Sequence, residues 1–369
     1  MMNENEPLVS VIMSVYNTEE YLDKSITSVL YQKYKNIEFI IINNGSTDGS
    51  LEKIKSFIAK DSRIVLINNE SNKLLSEARN QALDISNGKY VYVVDSDDYI
   101  ELDTLDRVVE IAEKDDLDLV VFGWYMDYIV DNQSLSLPVC PKQNIFLNKE
   151  DFRNNAAFYL NQSILTVPWN KLYKRSAIEN RHIRYRNTKL EDHHFNMDFI
   201  SDIDKVAFVD LPLYHYFRSR SSSELNYIYK FNLFQKKKEH YLHTKEVFTS
   251  WGIEDKGAWT ILYSYFAERI VQCIQEIVAN EQYSKKQKRS LIDEILKDDE
   301  ARYAIKKAKP EGLMMKVMVL PLKLRWKGLC IIEAKFINWY KKKNNVKFIK
   351  LRAKNVNKSK EIPNEGSNS

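Results

Sequence analysis

Cysteine is scarce in this chain. Cys140, Cys273 and Cys330 are far apart and odd in number, which excludes a disulfide framework and a cysteine metal knuckle and fits a reducing compartment. Long apolar runs are missing too. No stretch reaches the roughly 18 uninterrupted apolar residues of a spanning helix. The opening MMNENEPLVSVIM has neither a basic start nor a long apolar core ahead of its first strand. Neither a membrane span nor a signal peptide is expected, and the chain should stay in the cytoplasm. No segment recurs at a fixed period, which removes repeat architectures.

What is present is a chain of 369 residues, 44% of them hydrophobic, enough for a sizeable core and about two domains. The net charge of +4 is unevenly placed: residues 306–360 hold 17 Lys and Arg against two acids, Glu311 and Glu333. Everything before them is net acidic, which suggests a separate task for the basic end.

Two periods alternate over residues 1–125. Apolar, β-branched runs of strand length stand at 8–15, 37–42, 63–67, 90–94 and 118–122. Between them apolar residues fall at helical spacing. Leu22, Ile26, Val29 and Leu30 follow a cap expected at Asn17. Leu51, Ile54 and Ile58 form a second set, Ala78, Ala82 and Ile85 a third, and Leu105, Val108, Val109 and Ala112 a fourth. Strands buried on both faces, alternating with helices, predict an α/β fold with a largely parallel sheet. Ligands of such sheets sit beyond the carboxyl ends of the strands. From 126 to 230 the pattern is less regular, with short strands and a helix near 149–160. Residues 231–305 read as helices. Residues 306–354 are basic and amphipathic, with Pro321 expected to separate two short helices, and 355–369 read as a disordered tail.

Polar clusters close several of the strands. In YVYVVDSDDYI (90–100) a buried strand runs into Asp95, Ser96, Asp97 and Asp98. Acids so crowded repel one another unless a cation or donor compensates, and Asp-x-Asp turns two carboxylates to the same side of an extended chain, as a hard divalent ion holding a diphosphate requires. A helix cap at Asp97 or Asp98 is the plainer alternative, disfavoured by the wholly apolar strand before it. In IIINNGSTDGS (40–50), Asn43 and Asn44 can each donate and accept, as a nucleobase edge needs, or can shape an Asx turn with Gly45 at positive φ. In SEARNQAL (76–83), Arg79 on an otherwise apolar helix reaches either a uracil carbonyl, a phosphate or solvent. In KLEDHHFNMDFI (189–200), Glu191 or Asp192 suits a general base. His193 and His194 are adjacent and point to different sides of a helix, which is poor metal-ligand spacing. In PLYHYFRSRSSS (212–223), His215, Arg218 and Arg220 precede a serine run, and arginine binds phosphate bidentately.

Taken in order, VSVIMSVYN, NNGSTDGS, SEARNQAL, DSDDYI, VPWNKLYKRSAI, LEDHHF and LYHYFRSR resemble glycosyltransferase family 2, the inverting enzymes of the GT-A fold, over roughly residues 8–225. The resemblance implies a GT-A, Rossmann-like sheet flanked by helices, with a helical C-terminal extension. It implies a donor-nucleotide half at 1–125 and an acceptor half at 126–230. It places Tyr16, Asn43, Asn44 and Arg79 at the nucleobase and Asp95 at the ribose and metal. Asp97 becomes a ligand of Mg2+ or Mn2+, with His215 as a further one. Asp192 becomes the catalytic base with Glu191 beside it, and Arg218 and Arg220 close on the diphosphate. This chain departs from the family's habit in having Asn43–Asn44 where an acid is usual, Ser14 where proline is common, and Leu74–Leu75 where a glycine is usual.

The expectation is a metal-dependent transferase that moves a sugar from a UDP-linked donor to a hydroxyl of a glycan on a polyprenyl diphosphate carrier. Such a reaction belongs to bacterial capsule or exopolysaccharide assembly. A nucleotidyltransferase is the first rival, but VSVIMSVYN lacks the Gly-rich basic loop that it needs. A catalytically silent sugar-binding or scaffolding subunit is the second, against which the acids and the candidate base are intact. The basic segment, which carries Trp326 and Trp339, is expected to lie on an anionic membrane surface, making the protein peripheral on the inner face of the cell membrane. No nucleic-acid partner is expected.

Overall fold

A computed structural model describes residues 6–130, 133–161, 164–188, 191–218 and 233–344. The chain divides into two compact units, one made of residues up to 152 with 164–219, the other of 153–163 with 220–352.

The first unit begins with β1 (Val9–Val15), α1 (Glu19–Leu30), β2 (Ile37–Asn44), α2 (Ser50–Ile58), β3 (Ile64–Asn69), α3 (Leu75–Ile85) and β4 (Tyr90–Val93). It continues through β5 (Tyr99–Ile100), α4 (Thr104–Asp115), β6 (Leu119–Val130), β7 (Gln133–Val139) and β8 (Asn144–Phe146) to the start of α5 (Lys149–Asn161), whose residues from 153 on belong to the second unit. After β9 (Lys171–Lys174), α6 (Arg175–Glu179) and α7 (Glu191–Ile200) it ends on β10 (Val206–Phe217). The strands form one sheet in the order β3-β2-β1-β4-β9-β6-β10-β5, with β7 added on β6 and β8 on β10. The pairs β3–β2, β2–β1, β1–β4 and β6–β10 are parallel, and β9 runs against both β4 and β6. Val11, Ile12 and Met13 of β1 and Phe39, Ile40, Ile41 and Ile42 of β2 are all buried, as strands covered on both faces must be. The predicted mostly parallel α/β sheet is therefore present.

Three details differ from expectation. Asn17 does not cap α1: it has φ 51°, and its side-chain oxygen instead accepts from the Thr47 backbone N–H at 2.7 Å, tying β1 to the turn after β2. The region 126–230 is not built of short strands alone, because it holds β10, which runs 12 residues. β10 absorbs Pro212, which has no N–H to give, by shifting register on either side of it. Pro321 does not divide the C-terminal helices. It lies inside the last turn of the first, and the break comes at Arg325, with φ 52°.

The second unit is helical: α8 (Leu233–Ser250), α9 (Lys256–Ala279), α10 (Lys285–Lys297), α11 (Asp299–Lys307), α12 (Leu313–Lys323) and α13 (Lys327–Lys343). Local sequence sets the starts. Asp255 accepts from Gly257 and Ala258 N–H, Ser284 and Gln287 form a capping box, and Asp298 accepts from Ala301 N–H. Around α9 a core of Leu262, Phe266, Ile270 and Ile274 is buried.

Candidate active site

Arg79 is the centre of the site. α3 carries it into the interior, 2% exposed, where its guanidinium spans three carboxylates. Nη2 donates to Asp95 Oδ1 at 3.0 Å, and Nη1 donates to Glu191 Oε1 at 3.1 Å and Asp192 Oδ1 at 2.5 Å. Its flat face lies 5.3 Å from the Tyr185 ring, which stacks on Phe195 of α7 at 4.0 Å. A buried guanidinium needs compensation on this scale. Burial works against its charge, but Asp192, Asp95 and Glu191 outweigh that and hold its pKa well above the usual value. In the structure Arg79 joins the end of β4 to the start of α7.

The acids around it differ. Burial pushes the Glu191 carboxyl up to about 7, with Asp192 adding to the rise and Arg79 opposing it. Burial likewise raises Asp95 to about 6 against the pull of Arg79, helped by Asp97 and Asp192. The Glu191 side chain is 9% exposed and that of Asp192 34%, so of the pair Asp192 is the one that a second substrate can touch. Arg79 holds its Oδ1, which leaves Oδ2 for that contact.

Exposure alternates along Asp95–Asp98. Asp95 and Asp97 are half-exposed, whereas Ser96 and Asp98 are buried, in a turn that the Asp98 N–H closes on Asp95 O at 3.1 Å. Asp98 has a structural task. Its Oδ2 accepts from Tyr214 OH at 2.6 Å and its Oδ1 from the Phe217 backbone N–H at 2.8 Å. Tyr214 OH in turn accepts from the Asp95 N–H at 3.2 Å. Burial, then Asp97 and Asp95, raises the Asp98 pKa well above its usual range. The end of β10 is thus pinned to the acidic turn.

His215 is not placed as a metal ligand. Its ring lies between Tyr99 at 4.1 Å and Tyr125 at 4.7 Å, and its two nitrogens face Asp127 Oδ2 and Glu101 Oε1, each at 2.9 Å. Burial lowers its basicity, but the bonds to Asp127 and Glu101 outweigh this and raise it. With both nitrogens turned to carboxylates, His215 fastens the end of β10 to Asp127 and Glu101.

Asn43 and Asn44 are buried at the end of β2 and brace the turn that follows. Asn43 donates to Asn68 Oδ1 at 2.7 Å and accepts from Ser46 N–H. Asn44 donates to Asn72 Oδ1 and Lys73 O and accepts from Asn69 and Lys73, which uses its full capacity. Gly45 is required here: its φ is 72°, and a Cβ would lie 2.4 Å from the Ser71 backbone. Tyr16, half-buried at the end of β1, borders this turn through the Asn17–Thr47 bond. Arg218 follows β10, with its backbone on Asp127 O and its side chain on Tyr216 OH at 2.9 Å. Arg220 lies outside the described residues.

The motif VPWNKLYK contributes residues to which sequence reasoning gave no role. Trp169 stacks on Tyr214 at 4.5 Å and Tyr216 at 5.3 Å. Lys171 is fully buried, its ammonium on Ile164 O, Val167 O and Asn170 Oδ1. A Trp-Asn-Lys run in an otherwise apolar segment was the available signal, because a buried lysine needs several oxygens around it.

The donor chemistry fits a hard divalent cation: Asp95 and Asp97 offer carboxylate oxygens, and the surrounding acids outnumber Arg79. Among the described residues no three His, Cys, Asp or Glu side chains converge on one ion position.

Residues 10–181 match the family described as Glycosyl transferase family 2. Glycosyltransferase GlyA of Streptococcus pneumoniae is 36% identical over 217 residues, which is 56% of this chain and 30% of that protein. The chain thus spans about a third of the length of this relative. An uncharacterized glycosyltransferase of Haemophilus influenzae is 34% identical over 199 residues, 54% of this chain and 74% of that one. In fold, the Staphylococcus aureus TarS 1–349 structure in complex with UDP-GlcNAc superposes with a TM-score of 0.60 at 17% identity, covering 88% of each chain. The fold is GT-A, with a helical C-terminal region.

Proposed function

The chain belongs to glycosyl transferase family 2, and on that premise we propose that it moves a sugar from a uridine-linked nucleotide sugar to a hydroxyl of a lipid-linked glycan, with inversion at the anomeric carbon. What carries this reading is the Arg79 guanidinium, which holds Asp95 of the donor-side strand end and Asp192 of α7 within its own width. A base and a donor carboxylate so close together suit attack by an acceptor hydroxyl on a sugar whose diphosphate lies over Asp95 and Asp97.

Asp192 takes the proton from the acceptor hydroxyl as the oxygen attacks the anomeric carbon. The bond to the diphosphate breaks in the same step, and the nucleoside diphosphate departs from the opposite face. Mg2+ or Mn2+ held by Asp95 and Asp97 would supply charge neutralisation at the leaving diphosphate. Arg218 contributes further positive charge there. Tyr16 and the Asn43–Asn44 turn form the wall on the base side. Glu191 keeps Arg79 in place and, pushed up to about 7, limits the charge carried inside. The acceptor is proposed to be a polyprenyl-diphosphate-linked glycan in capsule or exopolysaccharide assembly, with the protein peripheral on the inner membrane face.

The test separates the two acids by calorimetry with UDP and Mn2+. Asp97→Ala should abolish metal-dependent nucleotide binding, whereas Asp192→Asn should keep binding and lose turnover. Equal loss of binding in both variants overturns this division of roles.

A further inference from the structure

The helices α12 and α13 satisfy their packing with one face and leave a second apolar face in water. Met318, Val319 and Leu322 of α12 and Cys330, Ala334 and Ile337 of α13 are buried. All of these but Val319 line a small space together with Val271 and Ile274 of α9, so the pair is docked on its own unit. The other faces are not covered by described residues. On α12 the exposed positions include Leu313, Val317, Leu320 and, just past its end, Leu324, and on α13 they are Ile332, Phe336 and Trp339. These are steps of three, four and seven, one stripe per helix. Of the 18 large apolar side chains exposed among the described residues, nine lie between Leu313 and Trp339. Such concentration marks a surface that meets something other than water.

Charge identifies the occupant. Lys316, Arg325, Lys335, Lys342 and Lys343 are exposed beside these stripes, and Glu311 and Glu333 are the acids between residues 306 and 360. Trp326 is 61% exposed and Trp339 55%, and indole rings favour the depth of lipid headgroups. Among the described residues no helix is long and apolar enough to cross a membrane, so these helices would lie in the plane of a surface. A second copy of the chain is a poorer occupant, because a two-fold contact brings each basic rim against its own image.

We propose that the outer faces of α12 and α13 dock on an anionic lipid bilayer. Val317, Leu320, Ile332 and Phe336 enter the acyl boundary, Trp326 and Trp339 lie among the headgroups, and the lysines and Arg325 meet the lipid phosphates. This gives a residue-level face to the membrane association proposed above, yet it stands on α12 and α13 alone and uses no residue of the active site. Burial of the stripes and attraction to the rim act together, so neither suffices in high salt or on neutral lipid.

The experiment is co-sedimentation of the full chain with vesicles of phosphatidylcholine alone and of phosphatidylcholine with phosphatidylglycerol, at low and high salt. Binding should require the anionic lipid and weaken with salt. Leu320→Glu with Phe336→Glu should reduce vesicle partitioning about tenfold or more, as should Arg325→Glu with Lys335→Glu. Because these positions are exposed, circular dichroism and melting temperature should not change, and slow UDP-sugar hydrolysis in solution should persist. Equal binding to both vesicle types, no binding to anionic vesicles at low salt, or undiminished binding by the glutamate variants overturns the proposal. So does a dimer in light scattering that Phe336→Glu dissociates without any vesicle binding. Vesicle binding without hydrolysis of any nucleotide sugar would count against the enzymatic reading and leave this one standing.

Discussion

Arg79 shows how one buried side chain sets the behaviour of several others. It compensates Asp95, Glu191 and Asp192 at once, so its removal strands three carboxylates in a poorly solvated place. Arg79→Ala should destabilise the first unit by about 3–5 kcal/mol and abolish turnover. Arg79→Lys keeps the charge but not the planar arrangement of donors, and should recover much of the stability with little of the activity. Thermal unfolding and nucleotide-release assays on both variants measure this, and equal stability of the two would show that charge alone matters little there. A pH dependence follows from the same cluster. Glu191 at about 7 and Asp95 at about 6 hold a proton more firmly in the folded chain than in the unfolded one, where such groups titrate near 4. Their contribution to stability is complete below that value and is lost as pH rises through 6 and 7. His215, raised as well, acts in the same direction. The melting temperature should fall between about pH 5.5 and pH 8, and Glu191→Gln, which keeps an oxygen for Arg79, should flatten that fall. An unchanged pH profile in the variant would contradict the raised Glu191 pKa.

At the scale of elements, β10 is the part whose role changes most once the structure is seen. It pairs in parallel with β6 and antiparallel with β5 and β8, and its last residues are fastened by Asp98, by the Tyr99–His215–Tyr125 stack and by Trp169. The chain then leaves toward Arg218 from a fixed point beside the acidic turn. His215→Phe preserves the stacking and removes both bonds to Asp127 and Glu101. It should cost about 1–3 kcal/mol in stability while leaving the Mn2+ concentration for half-maximal activity unchanged. A large rise in that concentration would instead restore His215 to the metal site. The turn after β2 makes a similar point. Asn43 and Asn44 were legible as a polar cluster at a strand end, and the Asx turn with Gly45 at positive φ is present. That Asn44 would spend every donor and acceptor on Asn69, Asn72 and Lys73 was not legible, because those partners lie 25 to 29 residues away.

For the whole molecule, the donor-side elements and the acids all belong to the first unit, and the basic helices belong to the second. A ligand that binds only the folded first unit stabilises it by an amount that grows with the logarithm of ligand over Kd, about 2.7 kcal/mol at a hundredfold excess, and so raises its unfolding temperature. UDP with Mn2+ should do so and GDP should not. Differential scanning calorimetry resolves the comparison, and stronger protection by GDP would overturn the uridine assignment.

The sequence by itself determined the parallel α/β sheet, the order of its first strands and helices, the acidic strand end, the Glu191–Asp192 pair and the basic amphipathic end. These features are local: strand burial on both faces, helical spacing and charge composition can be read within a dozen residues. Only the tertiary structure decided that Arg79 faces inward to three acids, that His215 is held between two tyrosines, that Asp98 anchors β10, and that α12 and α13 keep a second apolar face after packing. Each of these depends on partners distant in sequence, from 16 residues between Arg79 and Asp95 to 119 between Asp98 and Phe217. A side chain's charge and bonding are set by whatever the fold brings against it, and no local pattern contains that.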